Sequence, residues 1–509
     1  MAALAFEPAH ALAAAIRRGE LAAVELMEAT LERISRLNPT LNAFVALRAE
    51  EALADARALG ERIARGDDPG PLAGLPFGVK DLEDVAGLPT TYGSVPFRTH
   101  VAARDSTQVA RLRRAGAIPV GKTNTPEFGY TAFTKNRVFG VTRNPWNVSR
   151  TPGGSSGGSA AAIAGGLVPL ATASDGGGSI RIPASFSGAF GLKPTFGRVS
   201  RGPFGFRDWV DVVCYGPLTR TVADAALFLD AVVGPDPHDP DALPHPGYSY
   251  VARLDELPGD LHVAYSPTLG YARVEPEVRR AVEDAVAVLG RSLGRPVDLL
   301  TQPLRDTGAA WSSLCAFEQH AQLQPWIETH RDEWGHAFLR SLHFGQRLTT
   351  ADIGRCQRER LQLSEEVAAI FERYDLLLTP TMPTTAFGAN GPMPAIIDGE
   401  PLTSAMHALA FTYPFNLTGH PAATVRAGLS GDGLPIDRAG ARGARGGEGN
   451  SRRAPHAKLA GVDGDGVRGM AVRRAPRARE YALPPARARA LPPARRRCTS
   501  HSGARLPPP

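Results

Sequence analysis

Residues 150–194 read RTPGGSSGGSAAAIAGGLVPLATASDGGGSIRIPASFSGAFGLKP. Two Gly/Ser clusters flank one short apolar unit. The first, Gly153–Ser159, opens an Ala-rich segment that predicts a helix over 159–165. Small residues there let backbone approach a ligand, and the helix start offers N–H groups with no partner of their own. The run Leu167–Ala173 predicts a buried strand. The second cluster, Asp175-Gly176-Gly177-Gly178-Ser179, follows that strand. Successive glycines allow N–H groups to converge on one point, as stabilising an oxyanion requires. A serine closing such a turn can attack a carbonyl held there. A flexible linker is the plain alternative, but an apolar helix and strand between the clusters argue against it.

Strand-length apolar runs recur outward from this unit at Leu75–Val79, Ile118–Gly121, Leu261–Tyr265 and Leu376–Thr379. Helical patterns lie at 105–116, 276–290 and 351–373, and two more within 8–36, the second with Leu21, Val24, Met27, Leu31 and Ile34 on one face. Strands alternating with helices predict an α/β sheet covered by helices on both faces, with a helical N-terminal arm. The helical stretch 305–373 is placed as a cap beside it.

The chain has 509 residues and a formal net charge of +6, but the charge is unevenly spread. Residues 1–436 carry 40 Lys+Arg against 46 Asp+Glu; residues 437–509 carry 17 against 5. The last 73 residues include 16 Arg, 15 Ala, 10 Gly and 9 Pro, and no Phe, Ile or Trp. Such a composition buries too little apolar surface to offset its ordering entropy, so this tail is expected to be disordered. Three origins compete: a nucleic-acid-binding arm, a natural linker, and a reading-frame shift in a GC-rich gene. The abrupt break after Gly433-Leu434-Pro435-Ile436 favours the last, and with one aromatic residue (Tyr481) nucleic acid is not expected as a partner. No run approaches the roughly 18–20 apolar residues of a membrane span. The N-terminus lacks the basic start of a signal peptide. Four dispersed cysteines form neither a disulfide framework nor a zinc motif, which suits the cytoplasm. The sequon Asn147-Val148-Ser149 therefore carries little weight.

Three rival motifs match in letters only. GAIPVGKT (116–123) fits a phosphate loop, but its interior is an apolar strand and Pro126 follows where a helix is needed. GDGVRG (464–469) lies in the tail without a strand before it. GSSGG (154–158) fits a nucleophile elbow, yet Arg150-Thr151-Pro152 leads in rather than a strand. A serine nucleophile needs a base, and none of the thirteen histidines sits beside a Gly/Ser cluster. Lys80, ending the run GLPFGVKD (74–81), is the better candidate, because burial would leave its amine partly neutral. Taken alone, a strand-end lysine snorkelling to water is the commoner reading.

Gly153–Ala184 resembles the signature of the amidase signature family of serine hydrolases, with Ser155, Gly158, Asp175, Gly177, Ser179, Arg181 and Pro183 at its fixed positions. GLPFGVKD (74–81), GKTNTPEFG (121–129), RNPWN (143–147), GLKPTFGRVS (191–200) and FTYPFNLTGHPA (411–422) extend the resemblance over about 1–436. It implies a large mixed sheet flanked by helices and a catalytic set: Ser179 as nucleophile, Ser155 as bridging serine on a cis peptide, and Lys80 as base. It further implies an oxyanion hole from the N–H groups of Gly176, Gly177 and Gly178 with Ser179. Asp175 and Arg181 would form a supporting ion pair, and Ser156 would orient the relay. No cofactor and no metal are implied. The implied substrate is a small amide, with anilides, aryl amides and carbamates fitting the same chemistry; a homodimer stays open. Phe128, Tyr130, Phe133, Trp311 and Phe415 are candidate pocket walls.

Two alternatives remain at this point. The family includes the amidase subunit of the tRNA-dependent amidotransferases, but GPFGFRDWVDVVCYGPLTRTV (202–222) lacks that subunit's usual Ser-Ser-Leu-Asp-Gln-type segment. The other is a weakened product: relatives continue past GLPI into a strand and helices where this chain reads DRAGARGARGG, and Arg426 stands where proline is common.

Overall fold

The computed structural model describes residues 4–203, 212–256 and 260–437. The expectations for 438–509, including GDGVRG, and for 204–211 of the 202–222 segment lie outside the described residues.

Seven strands build the main sheet: β1 (Phe44–Leu47), β2 (Pro76–Lys80), β3 (Ile118–Thr123), β4 (Leu170–Asp175), β5 (Phe190–Lys193), β6 (Cys214–Thr219) and β7 (Ala422–Thr424). Their spatial order is β1-β3-β2-β4-β6-β5-β7. β2 runs parallel to both β3 and β4, whereas β1, β5, β6 and β7 pair antiparallel with their neighbours. All residues of β2, β3, β4 and β6 are buried, which explains near-continuous apolar or small-residue text in place of alternation. The sheet is therefore mixed and covered by helices.

Two expected strands belong elsewhere. Val263–Tyr265 and Leu376–Leu378 pair in parallel with each other and join Asp298–Leu299 in a separate three-stranded sheet. An apolar run specifies burial, not which sheet receives it. Near the C-terminal end of the described chain, Arg426–Leu429 and Pro435–Asp437 form a two-stranded hairpin.

The N-terminal arm is two helices, Ala9–Arg17 and Ala23–Leu41. In the 305–373 region, Gly308–Ile327, His336–Gln346 and Thr350–Phe371 are helices, the first packing on the other two. The GKT stretch is β3, with Lys122 buried and its ammonium 3.3 Å from Asp81 and 2.8 Å from the Thr90 hydroxyl, so it holds a carboxylate in the core rather than a phosphate.

The parallel pairing of β2 and β4 matters most for chemistry. Parallel neighbours end at the same edge, so Lys80 at the C-terminal end of β2 and Asp175 at the C-terminal end of β4 emerge together.

Candidate active site

Lys80 is 1% exposed. Its backbone N–H donates to the Thr172 hydroxyl on β4 at 3.1 Å, and its Nζ lies 2.8 Å from Ser155 Oγ. Nζ also reaches Ser174 Oγ at 3.0 Å and the Ser174 carbonyl at 3.3 Å. Burial pushes the Lys80 amine from the ordinary 10.5 to about 7, against the opposing pull of Asp175 and Glu83. The snorkelling reading fails here, since the side chain is almost wholly buried.

Ser155 follows a cis peptide bond from Gly154, and Ser156 precedes the helix Gly157–Ala164. That helix starts two residues earlier than the periodicity predicts. The Ser156 hydroxyl donates to the Ser174 carbonyl at 3.3 Å, and its backbone N–H donates to the Ser179 carbonyl at 3.2 Å. It thus ties the first Gly/Ser cluster to both ends of the second.

The glycine turn is held through its carbonyls. Asp175 O accepts from Asn416 Nδ2 at 2.7 Å and Gly176 O from the Trp311 indole N–H at 2.7 Å. Gly177 O accepts from the Thr412 hydroxyl at 2.6 Å, and Gly178 O from the Ile182 N–H at 2.7 Å. In a planar trans peptide the N–H points opposite to its C=O. Fixing each oxygen therefore also fixes the direction of the N–H in the same peptide plane. The N–H groups of Gly176, Gly177 and Ser179 have no acceptor among the described residues. Gly178 differs from expectation: its N–H donates to Asp175 Oδ1 at 2.7 Å. The turn's N–H groups without an acceptor among the described residues are therefore those of Gly176, Gly177 and Ser179. Gly178 instead supplies the bend, with φ +131° and no room for a Cβ against Thr412.

Exposure singles out one residue. From Gly165 to Ser187 every residue is buried except Ser179.

Asp175 and Arg181 meet in a fully buried two-pronged pair, Nε–Oδ2 and Nη2–Oδ1 both at 2.9 Å. Arg181 Nη2 also donates to Asn416 Oδ1 at 2.7 Å. Burial pushes the Asp175 carboxyl up, but the Arg181 guanidinium, Lys193 and the Asn416 amide outweigh it and hold it well below the carboxylate range. A carboxylate so stabilised is a poor proton acceptor, and its oxygens accept from the Gly178 and Ile180 N–H groups of the turn.

Of the aromatic candidates, Phe128 is core: it stacks on Tyr92 at 5.3 Å and on Phe338 at 5.4 Å between ring centroids. Phe415 is 8% exposed within a short helix, while Tyr130, Phe133 and Trp311 are partly open. Ser174, Thr172, Thr412 and Asn416 escaped the sequence reading. Thr172 and Ser174, alternating with Ala171 and Ala173 on a buried central strand, were the available signal, because alternate residues share a face. Among the described residues, no group of three His, Cys, Asp or Glu is placed to hold a metal, and no helix is long and apolar enough to cross a membrane.

A buried lysine beside a buried serine, next to a partly open serine and a turn of unpartnered N–H groups, is equipment suited to acyl transfer on a mixed α/β scaffold. Known proteins agree. Residues 25–437 match the family described as Amidase, and the chain belongs to that family. It is 38% identical over 430 residues to an acylamidase from Rhodococcus erythropolis, covering 84% of this chain and 89% of that protein. One subunit of the glutamyl-tRNA(Gln) amidotransferase from Synechococcus sp. (strain RCC307) is 38% identical over 455 residues, with 84% and 92% covered. Among solved structures, a bacterial aryl acylamidase of the amidase signature family superposes with a TM-score of 0.78 at 30% identity, covering 85% of this chain and 91% of that one. The protein is an amide-hydrolysing enzyme acting on small amides.

Proposed function

We propose that this enzyme cleaves N-acyl amides and anilides through an acyl-enzyme on Ser179, with Lys80 as base and Ser155 as the proton bridge. The 2.8 Å contact between Lys80 Nζ and Ser155 Oγ carries the reading. A neutral amine has two hydrogens and one lone pair. Its hydrogens are matched by Ser174 Oγ and the Ser174 carbonyl, leaving the lone pair to Ser155. Ser155 passes its proton to Lys80 and takes one from Ser179 as Ser179 attacks the carbonyl. The relay then runs backwards to protonate the leaving nitrogen, which an amide requires because its anion is a very poor leaving group. Water hydrolyses the acyl-enzyme by the same route. Ser156, Asp175 and Arg181 hold the parts in place.

The acylamidase and aryl acylamidase relatives, with the partly open Tyr130, Phe133 and Trp311, support an acyl or aryl amide substrate over glutamine. Reaction with a fluorophosphonate probe followed by peptide mass spectrometry tests the nucleophile: the adduct is expected on Ser179 and absent from Ser179→Ala. Labelling elsewhere, or turnover retained in that variant, overturns the assignment.

We also read residues 1–436 as the catalytic unit and 437–509 as text foreign to it, supported by the charge break and by a family match that stops at residue 437. The gene sequence decides: an alternative frame past codon 436 encoding further strand- and helix-like text is expected, and its absence removes the idea. The described thiols of Cys214, Cys315 and Cys356 are all unpaired, which supports a reducing, cytoplasmic location.

A further inference from the structure

We propose that Trp311 is a positioning residue for the reaction: its indole N–H, through the Gly176 carbonyl, aims the Gly177 N–H at the oxyanion. This rests on Ser179 being the nucleophile and goes beyond it by naming what holds the stabilising donor. Gly176 O and the Gly177 N–H belong to the same peptide plane, so their directions are locked together. Trp311 Nε1 lies 2.7 Å from Gly176 O. The ring also lies against the turn: a Cβ added at Gly177 would stand 2.3 Å from Trp311 Cζ2.

The neighbouring planes show why this one depends on the indole. The plane joining Gly177 and Gly178 is held at both ends, by Thr412 on its oxygen and Asp175 on its N–H. The plane joining Gly178 and Ser179 is held at its oxygen by the Ile182 N–H, donated by the helix that follows the turn. The plane joining Gly176 and Gly177 is held at its oxygen by a side chain from a distant helix, Gly308–Ile327. Its N–H has no acceptor among the described residues. Trp311 is four residues into that helix and partly open. The helical stretch beside the sheet therefore takes part in fixing the donor.

An oxyanion-hole donor removed outright costs about 10²–10³ in kcat, and a donor left unaimed is expected to lose part of that. Trp311→Phe keeps a ring on Gly177 and deletes the N–H. With an anilide substrate, kcat is expected to fall about 10–100-fold while KM stays within about threefold. A trifluoromethyl ketone, which adds to the serine and presents an oxyanion, should bind weaker by the same factor as kcat/KM. The matching carboxylic acid, which presents none, should bind as before. A variant with kcat within twofold of wild type, or parallel weakening of both inhibitors, overturns the proposal. If Trp311→Phe does not fold, 3-benzothienylalanine installed at 311 by nonsense suppression keeps the ring's shape without its N–H, and the same outcomes apply. Fluorophosphonate labelling separates the two readings. A wild-type enzyme unlabelled at Ser179 removes the nucleophile assignment and this proposal with it. Labelling at Ser179 with kcat untouched in the Trp311 variant removes only the role of Trp311.

Discussion

The dependence of rate on pH should report Lys80 directly. Burial lowers its amine from 10.5 to about 7. That lowering corresponds to about 5 kcal/mol. With an ordinary lysine, about one enzyme in 3,000 would carry the neutral base at pH 7; in this site about half do. kcat/KM for a non-ionising anilide is therefore expected to rise tenfold per pH unit up to about 7 and to level off above it. At pH 5 the rate should be about 100-fold below the plateau. The measurement is initial rate at low substrate from pH 5 to 9.5 at constant ionic strength, with a solvent isotope effect confirming that proton transfer limits the rate. Glu83 and Asp175 both favour the charged amine, so Glu83→Gln should move the inflection to the acid side. A flat profile with chemistry limiting, or an inflection near 10, would refute the reasoning. The same shift acts on stability with a fixed sign. Between about 7 and 10.5 the unfolded chain binds a proton the folded chain does not, so stability rises with pH across that window. The penalty is complete below pH 7, where Lys80→Met should raise the melting temperature while abolishing turnover.

Further expectations follow from the same geometry. Ser155→Ala removes the bridge and should cut kcat by at least about 10² with folding intact, measured by steady-state rate against far-ultraviolet dichroism; near-normal kcat would mean direct transfer between Lys80 and Ser179. Arg181→Met leaves a buried Asp175 carboxylate without its partner and should cost about 3–5 kcal/mol in urea unfolding. A loss under 1 kcal/mol would mean the pair is dispensable. Gly177→Ala sets a methyl group against the Trp311 ring, so it should destabilise the fold by about 1–3 kcal/mol and lower kcat; a crystal structure showing the ring unmoved and the rate unchanged would contradict the packing.

Legibility in the sequence differed from residue to residue. Ser179 and the glycines stood out because small residues clustered around a strand and a helix have few structural uses, whereas Ser155 was singled out only by the resemblance. Lys80 was a candidate base because no histidine sits beside the clusters, but only the resemblance set it above a snorkelling lysine, since burial of a strand-end lysine depends on what β4 and the residues around Ser155 place over it. Thr172, Ser174, Thr412 and Asn416 were not read as site residues, and Trp311 was read only as a candidate pocket wall, not as a donor to the turn. Their partners lie on other elements, between 75 and 241 positions away for the contacts of Lys80 with Ser155, of Trp311 with Gly176 and of Asn416 with Asp175. No local period records such a contact.

By itself, then, the sequence determined the local shapes: a turn that only glycines can make, a serine at its end, apolar runs of strand length, and an acidic body distinct from a basic tail. Tertiary structure decided what those pieces do. The parallel pairing of β2 with β4 brings Lys80 beside the Gly/Ser clusters, and burial lowers its amine from 10.5 to about 7. Packing of the helix from Gly308 and of residues 412–416 against the turn decides which N–H groups stay open, with Gly178 committed to Asp175 and Gly176, Gly177 and Ser179 left without an acceptor among the described residues. Both effects arise from groups far apart in the chain becoming close in a water-poor interior, where a proton's preference and a dipole's direction are set by neighbours rather than by sequence position.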